Sequence, residues 1–190
     1  GVWKGEGDSA KIRVVFNGSA RVRPGTSLNE CLFPGPNLLP SLADVLTRWR
    51  RHRFVVASDI EKMYRQILVH PEDRDLQRIL WKKNNLLTEF QLNTVTYGLS
   101  SAPYLAIRVL RQLAADKGST FPGAAEALRR DAYVDDILAG AANLDDARRL
   151  RRELTSLCTA GGFPLRKWTA NCAALLVLDV PVEHRSPRAA

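Results

Sequence analysis

Residues 132–139 read Ala-Tyr-Val-Asp-Asp-Ile-Leu-Ala, so two adjacent carboxylates stand between two short apolar segments. This pattern predicts a tight β-hairpin with Asp135 and Asp136 at its turn. Upstream, the apolar run at residues 54–57 predicts a strand buried on both faces, which places Asp59 at the end of that strand. Whether these carboxylates meet depends on how the fold pairs the strand with the hairpin.

The order of the predicted elements indicates an α+β fold. After the first strand and an irregular insert come a helix at 101–115 opened by a Ser101 cap, the hairpin, a helix capped by Asn143, and a strand at 163–168. This β-α-β-β-α-β order is that of the split βαβ (ferredoxin-like) layout, in which helices cover one face of an antiparallel sheet. The first strand lies beside the hairpin in that layout, so we expect Asp59 to approach Asp135 and Asp136.

Further patterns predict smaller elements around this core. They are a strand at 11–16, an irregular connection at 23–40, a helix with Leu42, Val45, Leu46 and Trp49 on its buried face, a strand at 89–95 and a short helix at 122–130. The tail from Asp179 onward shows no packing pattern.

The composition favours a nucleic-acid partner. The 28 Lys and Arg against 20 Asp and Glu give a net charge of +8, and the isoelectric point is about 9.8, so the surface attracts polyanions. Three scattered cysteines and three scattered histidines indicate neither a disulfide framework nor a zinc site.

The sequence gives no sign of a membrane partner. No apolar run approaches the roughly 20 residues that a spanning helix needs, and the N-terminus has no signal-peptide pattern. We therefore expect a soluble, intracellular protein. Because the chain begins with Gly1 and its only methionine is Met63, we also expect it to be a piece of a longer polypeptide.

The paired carboxylates indicate a metal site. Adjacent carboxylates disfavour joint ionisation unless a cation neutralises them, and carboxylates without nearby His or Cys select hard ions such as Mg²⁺ or Mn²⁺. Two such ions can activate an attacking hydroxyl and stabilise a leaving oxygen in phosphoryl transfer. Asp59, Asp135 and Asp136 are therefore the predicted ligands. The alternative is that Asp-Asp is ordinary turn chemistry that holds no ion.

Basic residues are candidates for balancing phosphate charge. Lys167, on the last predicted strand, could neutralise or protonate a leaving pyrophosphate. Lys11 and Arg13, on one face of the first predicted strand, could clamp a triphosphate. Solvent-exposed side chains with no ligand are the alternative for all three.

Two tyrosines and a glycine are candidates for contacts with the rest of a substrate. Tyr97 and Gly98 precede a helix N-terminus, which favours an anion or a closely approaching base pair. Tyr64, soon after the first candidate aspartate, could stack on a sugar or base. An ordinary turn and a core tyrosine are the respective alternatives.

Six segments, in order along the chain, resemble the reverse transcriptases of retroelements, and most closely those of the BEL/Pao group of LTR retrotransposons. The segments are RVVFNGSA (13–20), SLNECLFPGPNLLPSL (27–42), SDIEKMYRQI (58–67), TVTYGLSSAP (94–103), YVDD (133–136) and GGFPLRKW (161–168). The resemblance covers residues 11–171. Six ordered blocks are far more specific than the four-residue YVDD alone.

The resemblance implies an RNA-directed DNA polymerase that adds deoxynucleotides to a primer 3′-OH by two-metal phosphoryl transfer. It implies that the three aspartates and the backbone carbonyl of Ile60 hold two Mg²⁺ or Mn²⁺ ions. It further implies that Arg13 contacts the incoming triphosphate, that Tyr64 lies beneath the sugar, and that Lys167 assists pyrophosphate departure. Tyr97 departs from the family's pattern, because retroviral enzymes have Gln before the glycine.

The resemblance also divides the chain. It implies a right-hand fold with a fingers-like segment at 1–52, a palm at 53–170 with about 68–93 returning to the fingers, and a tail at 171–190 that stops before the primer grip and thumb. The implied partners are an RNA or DNA template with its primer, dNTPs, and the remainder of a retroelement polyprotein, namely thumb, RNase H and integrase. The implied location is the cytoplasm, with virus-like particles as the site within it.

Other functions compete with this interpretation. A nucleotidyl cyclase can share the βαββαβ core and the metal carboxylates, but it would not need the basic N-terminal strand or the YGLSSAP block at 97–103. A receiver-type phosphoacceptor is excluded because its Asp pair comes first in the chain. A non-catalytic nucleic-acid-binding relic of a retroelement would keep the fold without synthesis. The expected lack of a thumb favours the relic, and the presence of all three aspartates and Lys167 opposes it.

Overall fold

The computed structural model describes residues 2–4, 11–22 and 25–177 of the chain. The strands are β1 (Val2–Lys4), β2 (Lys11–Arg13), β3 (Phe54–Ile60), β4 (Arg78–Lys83), β5 (Leu86–Gln91), β6 (Ala132–Tyr133), β7 (Asp136–Ala141) and β8 (Leu165–Ala170). The α-helices are α1 (Leu28–Cys31), α2 (Leu42–Arg50), α3 (Ala102–Asp116), α4 (Pro122–Arg130) and α5 (Leu144–Ala160). Short 3-10 helices lie at Met63–Gln66, Pro71–Gln77 and Ala173–Leu175.

The central sheet has four antiparallel strands in the order β6-β7-β3-β8. Its middle strand β3 alternates between its two faces, with Val56, Ser58 and Ile60 buried on one side and Asp59 on the other. This alternation follows from the period of two along a strand. The predicted contact between the first strand and the hairpin is confirmed, and so is a mixed α/β fold with an antiparallel sheet and helices.

Helices α3, α4 and α5 pack on the buried face of this sheet. They contribute Ala106, Leu110, Leu128, Leu154 and Leu157 to one apolar cluster with the strand residues. Burial of each leucine side chain stabilises the fold by about 1.5–3 kcal/mol. Because the helices cover only one face, the residues of the opposite face remain available for a ligand.

The predicted helix caps are partly confirmed. The Asn143 side chain accepts a hydrogen bond from the backbone N–H of Asp146 at 2.9 Å, as an N-cap should. Ser101 stands at the N-cap position of α3, but its side chain makes no capping hydrogen bond. No helix among the described residues is both long enough and apolar enough to cross a membrane.

A separate hairpin of β4 and β5 replaces the predicted strand at 89–95, which was wrong in its bounds. The two strands pair from Arg78 opposite Gln91 to Lys83 opposite Leu86. The turn residues Asn84 and Asn85 both have positive φ angles, of 49° and 63°. Asparagine tolerates this left-handed conformation, which a two-residue hairpin turn requires.

The predicted strand at 11–16 is also too long, because β2 ends at Arg13. The following residues fold against the turn that precedes α3. The Tyr97 hydroxyl donates a hydrogen bond to the Val14 carbonyl at 2.6 Å, and the Phe16 ring packs on the Tyr97 ring. Tertiary contact with this turn therefore replaces strand pairing at residues 14–16.

The connection predicted as irregular at 23–40 contains the short helix α1. A capping box forms it, since the Ser27 side chain accepts from the Glu30 N–H and the Glu30 side chain accepts from the Ser27 N–H. Within this helix, Asn29 donates to the Gly98 carbonyl at 3.0 Å and accepts from the Ser100 N–H at 2.8 Å. Through Asn29, α1 holds the N-terminal part against the same turn. The predicted tail from Asp179 lies outside the described residues.

Replacement of Gly98 with alanine should destabilise the fold more than replacement of Gly162. Both glycines have positive φ, but an added Cβ at Gly98 would overlap the Phe16 carbonyl oxygen, whereas nothing lies within 4 Å of one at Gly162. We expect the free energy of unfolding to fall by about 1–3 kcal/mol more in Gly98→Ala than in Gly162→Ala. Urea denaturation of both variants measures this difference, and equal losses would contradict it.

Candidate active site

The three predicted carboxylates come together at one end of the sheet. Asp59 of β3 lies directly opposite Asp136 of β7. On the other side of β7, Asp136 pairs with Tyr133 of β6, so Val134 and Asp135 form the turn between β6 and β7. The backbone N–H of Ile60 donates to the Asp135 carbonyl at 2.7 Å, which ties the turn to β3. Strand register therefore brings the carboxylates close together.

The carboxylates repel one another. Partial burial of its carboxyl group raises the pKa of Asp136, and the negative charges of Asp135 and Asp59 raise it further, while Lys167 partly lowers it. Asp135 also acts on Tyr64, whose hydroxyl has a raised pKa through burial and through this nearby charge. The Tyr64 hydroxyl therefore stays protonated, and the carboxylate cluster favours a cation.

Lys167 supplies one positive charge to this cluster. Its Nζ lies 3.0 Å from Oδ2 of Asp59, although the residue opposite Asp59 in the sheet is Arg166. The register of β3 against β8 shifts between Ala57 and Asp59, and Lys167 has a φ of 53°. An irregularity of this kind re-aims a side chain. The lysine predicted from the last strand therefore does reach the first aspartate.

Backbone strain is concentrated beside these residues. Of the five described non-glycine residues with positive φ, Asn84 and Asn85 form a hairpin turn, and the other three are Lys62, Val134 and Lys167. Such conformations cost of order 1–3 kcal/mol each and are seen most often at functional sites. Val134 is the clearest case, since a β-branched residue is a true outlier there.

A cleft of about 530 Å³ opens at the carboxylates. It is lined by Asp59, Glu61, Lys62, Met63, Tyr64, Arg65, Tyr97, Asp135, Arg166 and Lys167. The sequence prediction had named Asp59, Tyr64, Tyr97, Asp135 and Lys167 among these. It missed the charged residues Glu61, Lys62, Arg65 and Arg166, whose only signal in the sequence is that each lies within two residues of a named candidate.

The remaining predicted residues have different surroundings. Gly98 packs closely against the Phe16 carbonyl, and the Tyr97 hydroxyl is engaged by the Val14 carbonyl, so both hold the N-terminal segment in place. Ile60 is buried at the end of β3. Lys11 and Arg13 lie in β2, but their side chains are outside the described part of the structure.

The carboxylate oxygens of the aspartates are ligands of the kind that a hard cation prefers, although the described part of the protein does not surround an ion with a complete set of ligands. Among the described residues, no three His, Cys, Asp or Glu side chains form a group that could hold a metal ion. Mg²⁺ is usually held by one or two carboxylates together with substrate phosphates, so a closed protein cage is not needed. The crowded carboxylates meet that smaller requirement.

A second cleft, of about 640 Å³, lies on the helical side between α2, α4 and α5. Its charges largely compensate one another, because Arg48 pairs with Asp131 at 2.9 Å and Arg149 pairs with Asp146 at 2.6 Å. None of the predicted site residues lines this cleft. The cleft at the carboxylates, and not this second cleft, is therefore the candidate active site.

Comparison with known proteins bears directly on this region. The sequence model of a family described as "Reverse transcriptase (RNA-dependent DNA polymerase)" matches residues 12–168, which is more than half of the chain. The matched stretch includes Asp59, Asp135, Asp136 and Lys167. Among curated proteins, no match to the chain was found.

Replacement of Asp136 with asparagine should stabilise the protein at neutral pH without divalent ions. Because the pKa of Asp136 is raised in the folded state, the wild type loses stability as the pH rises through that pKa. The asparagine side chain carries no charge and avoids this loss. Asp136 is exposed, so we expect a gain below about 1 kcal/mol.

Thermal unfolding in EDTA between about pH 3 and pH 7 measures the effect, since the gain should vanish below the ordinary aspartate pKa of about 3.9. Asp73→Asn, on the exposed 3-10 helix Pro71–Gln77, is the matched control and should show no such gain. A lower melting temperature for Asp136→Asn at pH 7 would contradict the repulsion described above.

Proposed function

The chain belongs to the reverse transcriptase family, and we propose that it is an RNA-directed DNA polymerase that adds deoxynucleotides to a primer 3′-OH. Domains of this family in general bind a template with its primer and dNTPs, and use divalent metal ions. One observation carries the proposal for this chain. Asp59 stands opposite Asp136 in the sheet, and Asp59, Asp135 and Lys167 line one cleft.

The proposed roles follow from these positions. Asp59, Asp135 and Asp136, with the backbone carbonyl of Ile60, would hold two Mg²⁺ or Mn²⁺ ions. When bound, such ions supply charge for an attacking hydroxyl and a leaving oxygen in phosphoryl transfer.

Lys167 keeps Asp59 neutralised until substrate enters, and it then balances or protonates the departing pyrophosphate. Tyr64, protonated and half-buried in the cleft, lies beneath the sugar. Lys11 and Arg13 of β2 contact the triphosphate, and Tyr97 lines the same cleft.

The larger setting is part of the same proposal. We assign residues 1–52 to the fingers and 53–170 to a palm, with about 68–93 returning to the fingers, and 171–190 to a tail before a primer grip and thumb. The β4–β5 hairpin falls within the returning segment. The setting we propose is a BEL/Pao-type retrotransposon polyprotein that also carries RNase H and integrase, located in the cytoplasm or in virus-like particles there.

Single-nucleotide incorporation with enzyme in excess over primer–template tests the proposed activity without requiring processive synthesis. We expect extension of oligo(dT) on poly(rA) with Mg²⁺ or Mn²⁺. Asp135→Asn should lower the rate at least about a hundredfold, because metal-held charge contributes several kcal/mol to such steps. Asp145→Asn removes the same charge from a side chain that is 92% exposed on α5, and it should leave the rate unchanged.

The competing function is a nucleic-acid-binding relic that does not polymerise. Its specific support is that no group of three ligands forms among the described residues and that Lys167 already occupies Asp59. A chain that binds primer–template but incorporates no nucleotide with either metal ion would favour the relic. Incorporation that survives in Asp135→Asn would contradict the assigned role of the aspartates.

A further inference from the structure

Arg65 lies in the cleft and has no role in the function proposed above. It belongs to the 3-10 helix Met63–Gln66, directly after Tyr64, and its side chain is half-buried. The residue lines the same cleft as Asp59, Asp135 and Lys167. Partial burial of a guanidinium costs free energy unless its charge is paired or its N–H groups are hydrogen-bonded. The groups around Arg65 therefore decide whether it is available to a ligand.

Two aromatic rings hold the Arg65 side chain in place. Its Cζ lies 5.7 Å from the centroid of the Phe16 ring and 5.7 Å from that of the Tyr97 ring. The two rings are 5.4 Å apart and inclined by 54°, so the guanidinium sits against both. The hydrogen bond from the Tyr97 hydroxyl to Val14 fixes one ring. Cation–π contacts of this kind position a guanidinium without using its N–H donors.

The two basic side chains of β8 that line the cleft are neutralised. Arg166 pairs with Glu61 at 2.9 Å, and Lys167 pairs with Asp59 at 3.0 Å. Arg65, in contrast, makes no side-chain hydrogen bond or ion pair with any residue that the structure describes. No described residue therefore occupies its N–H donors, which can bind a ligand in the cleft.

We propose that Arg65 binds phosphate oxygens of the incoming deoxynucleoside triphosphate, and that the rings of Phe16 and Tyr97 position its guanidinium. A guanidinium presents a planar fork of donors that matches phosphate geometry, which a lysine cannot do. The inference rests on the proposed polymerase function. It also gives Tyr97 a defined task, since its ring and its hydroxyl both act through Arg65 and the N-terminal segment rather than on the substrate.

Binding of inorganic tripolyphosphate, measured by isothermal titration calorimetry, tests the site without catalysis. We expect Arg65→Gln to weaken binding about tenfold or more, because a charge-assisted hydrogen bond is lost. Arg65→Lys keeps the charge and the ring contacts, and it should lose part of the affinity. Arg53→Gln is the matched control, since Arg53 also stacks on a ring, that of Phe54 at 5.5 Å, outside the cleft.

Nucleotide incorporation then separates binding from support of the fold. Arg65→Gln should raise the KM for the dNTP about tenfold while kcat changes less than about twofold, since uniform binding is lost. A purely structural Arg65 would lower the melting temperature and leave KM and tripolyphosphate affinity as in the wild type, which would overturn the proposal. If Arg65→Gln does not fold, the affinity of Arg65→Lys decides, and wild-type affinity in that variant overturns it.

Failure of the two proposals can be distinguished. If the wild-type chain incorporates no nucleotide, the polymerase function is refuted. If replacement of Arg65 still weakens tripolyphosphate binding, the phosphate site is supported all the same. A wild-type chain that polymerises with Arg65→Gln unchanged in KM and in affinity refutes the phosphate site alone.

Discussion

The antiparallel register of β3 against β7 decides what the carboxyl groups of this protein can do together. It sets Asp59 opposite Asp136, and the turn then presents Asp135 beside them. A shift by one residue would turn alternate side chains to the other face, so that a carboxylate would enter the core and Ile137 would leave it. Because Ile137 and Ile60 are buried among the helices, the core fixes the register, and the register fixes the site.

The charged carboxylates and the strained backbone residues lie at the same end of the sheet. Partial burial and the neighbouring carboxylates raise the pKa of Asp136, and the left-handed Val134 and Lys167 each cost of order 1–3 kcal/mol. One buried leucine stabilises by a comparable amount, about 1.5–3 kcal/mol, and α3 and α5 bury several. The helical layer therefore sustains a cleft that would be unfavourable on its own. This division between a stabilising layer and a strained end explains why one face of the sheet is packed and the other carries the charges.

Sequence patterns predicted the parts of the fold that depend on local chemistry. The Asn143 cap, the helix at 122–130 and the hairpin around Asp135 follow from capping, periodicity and turn preference, and their assembly into one sheet followed from element order. Tertiary contacts decided the rest. The strand at 11–16 ends early because of its packing on the turn at Tyr97, and Lys167 reaches Asp59 only through a shifted register. The place of Arg65 depends on two rings 81 residues apart in sequence, Phe16 and Tyr97, and no local pattern marks such a contact.

The central position of β3 also has a consequence for how the cleft assembles. Its partners β7 and β8 come more than 70 residues later in the chain, so long-range pairings alone complete the cleft. The loop-closure entropy of these pairings opposes folding until all the strands are present. A piece of the chain that ends at Gly140 contains the paired aspartates but lacks Lys167, which neutralises Asp59. The cleft therefore forms only when the whole segment from β3 to β8 is present, and a fragment cut between β7 and β8 keeps the carboxylates without the charge that Lys167 supplies.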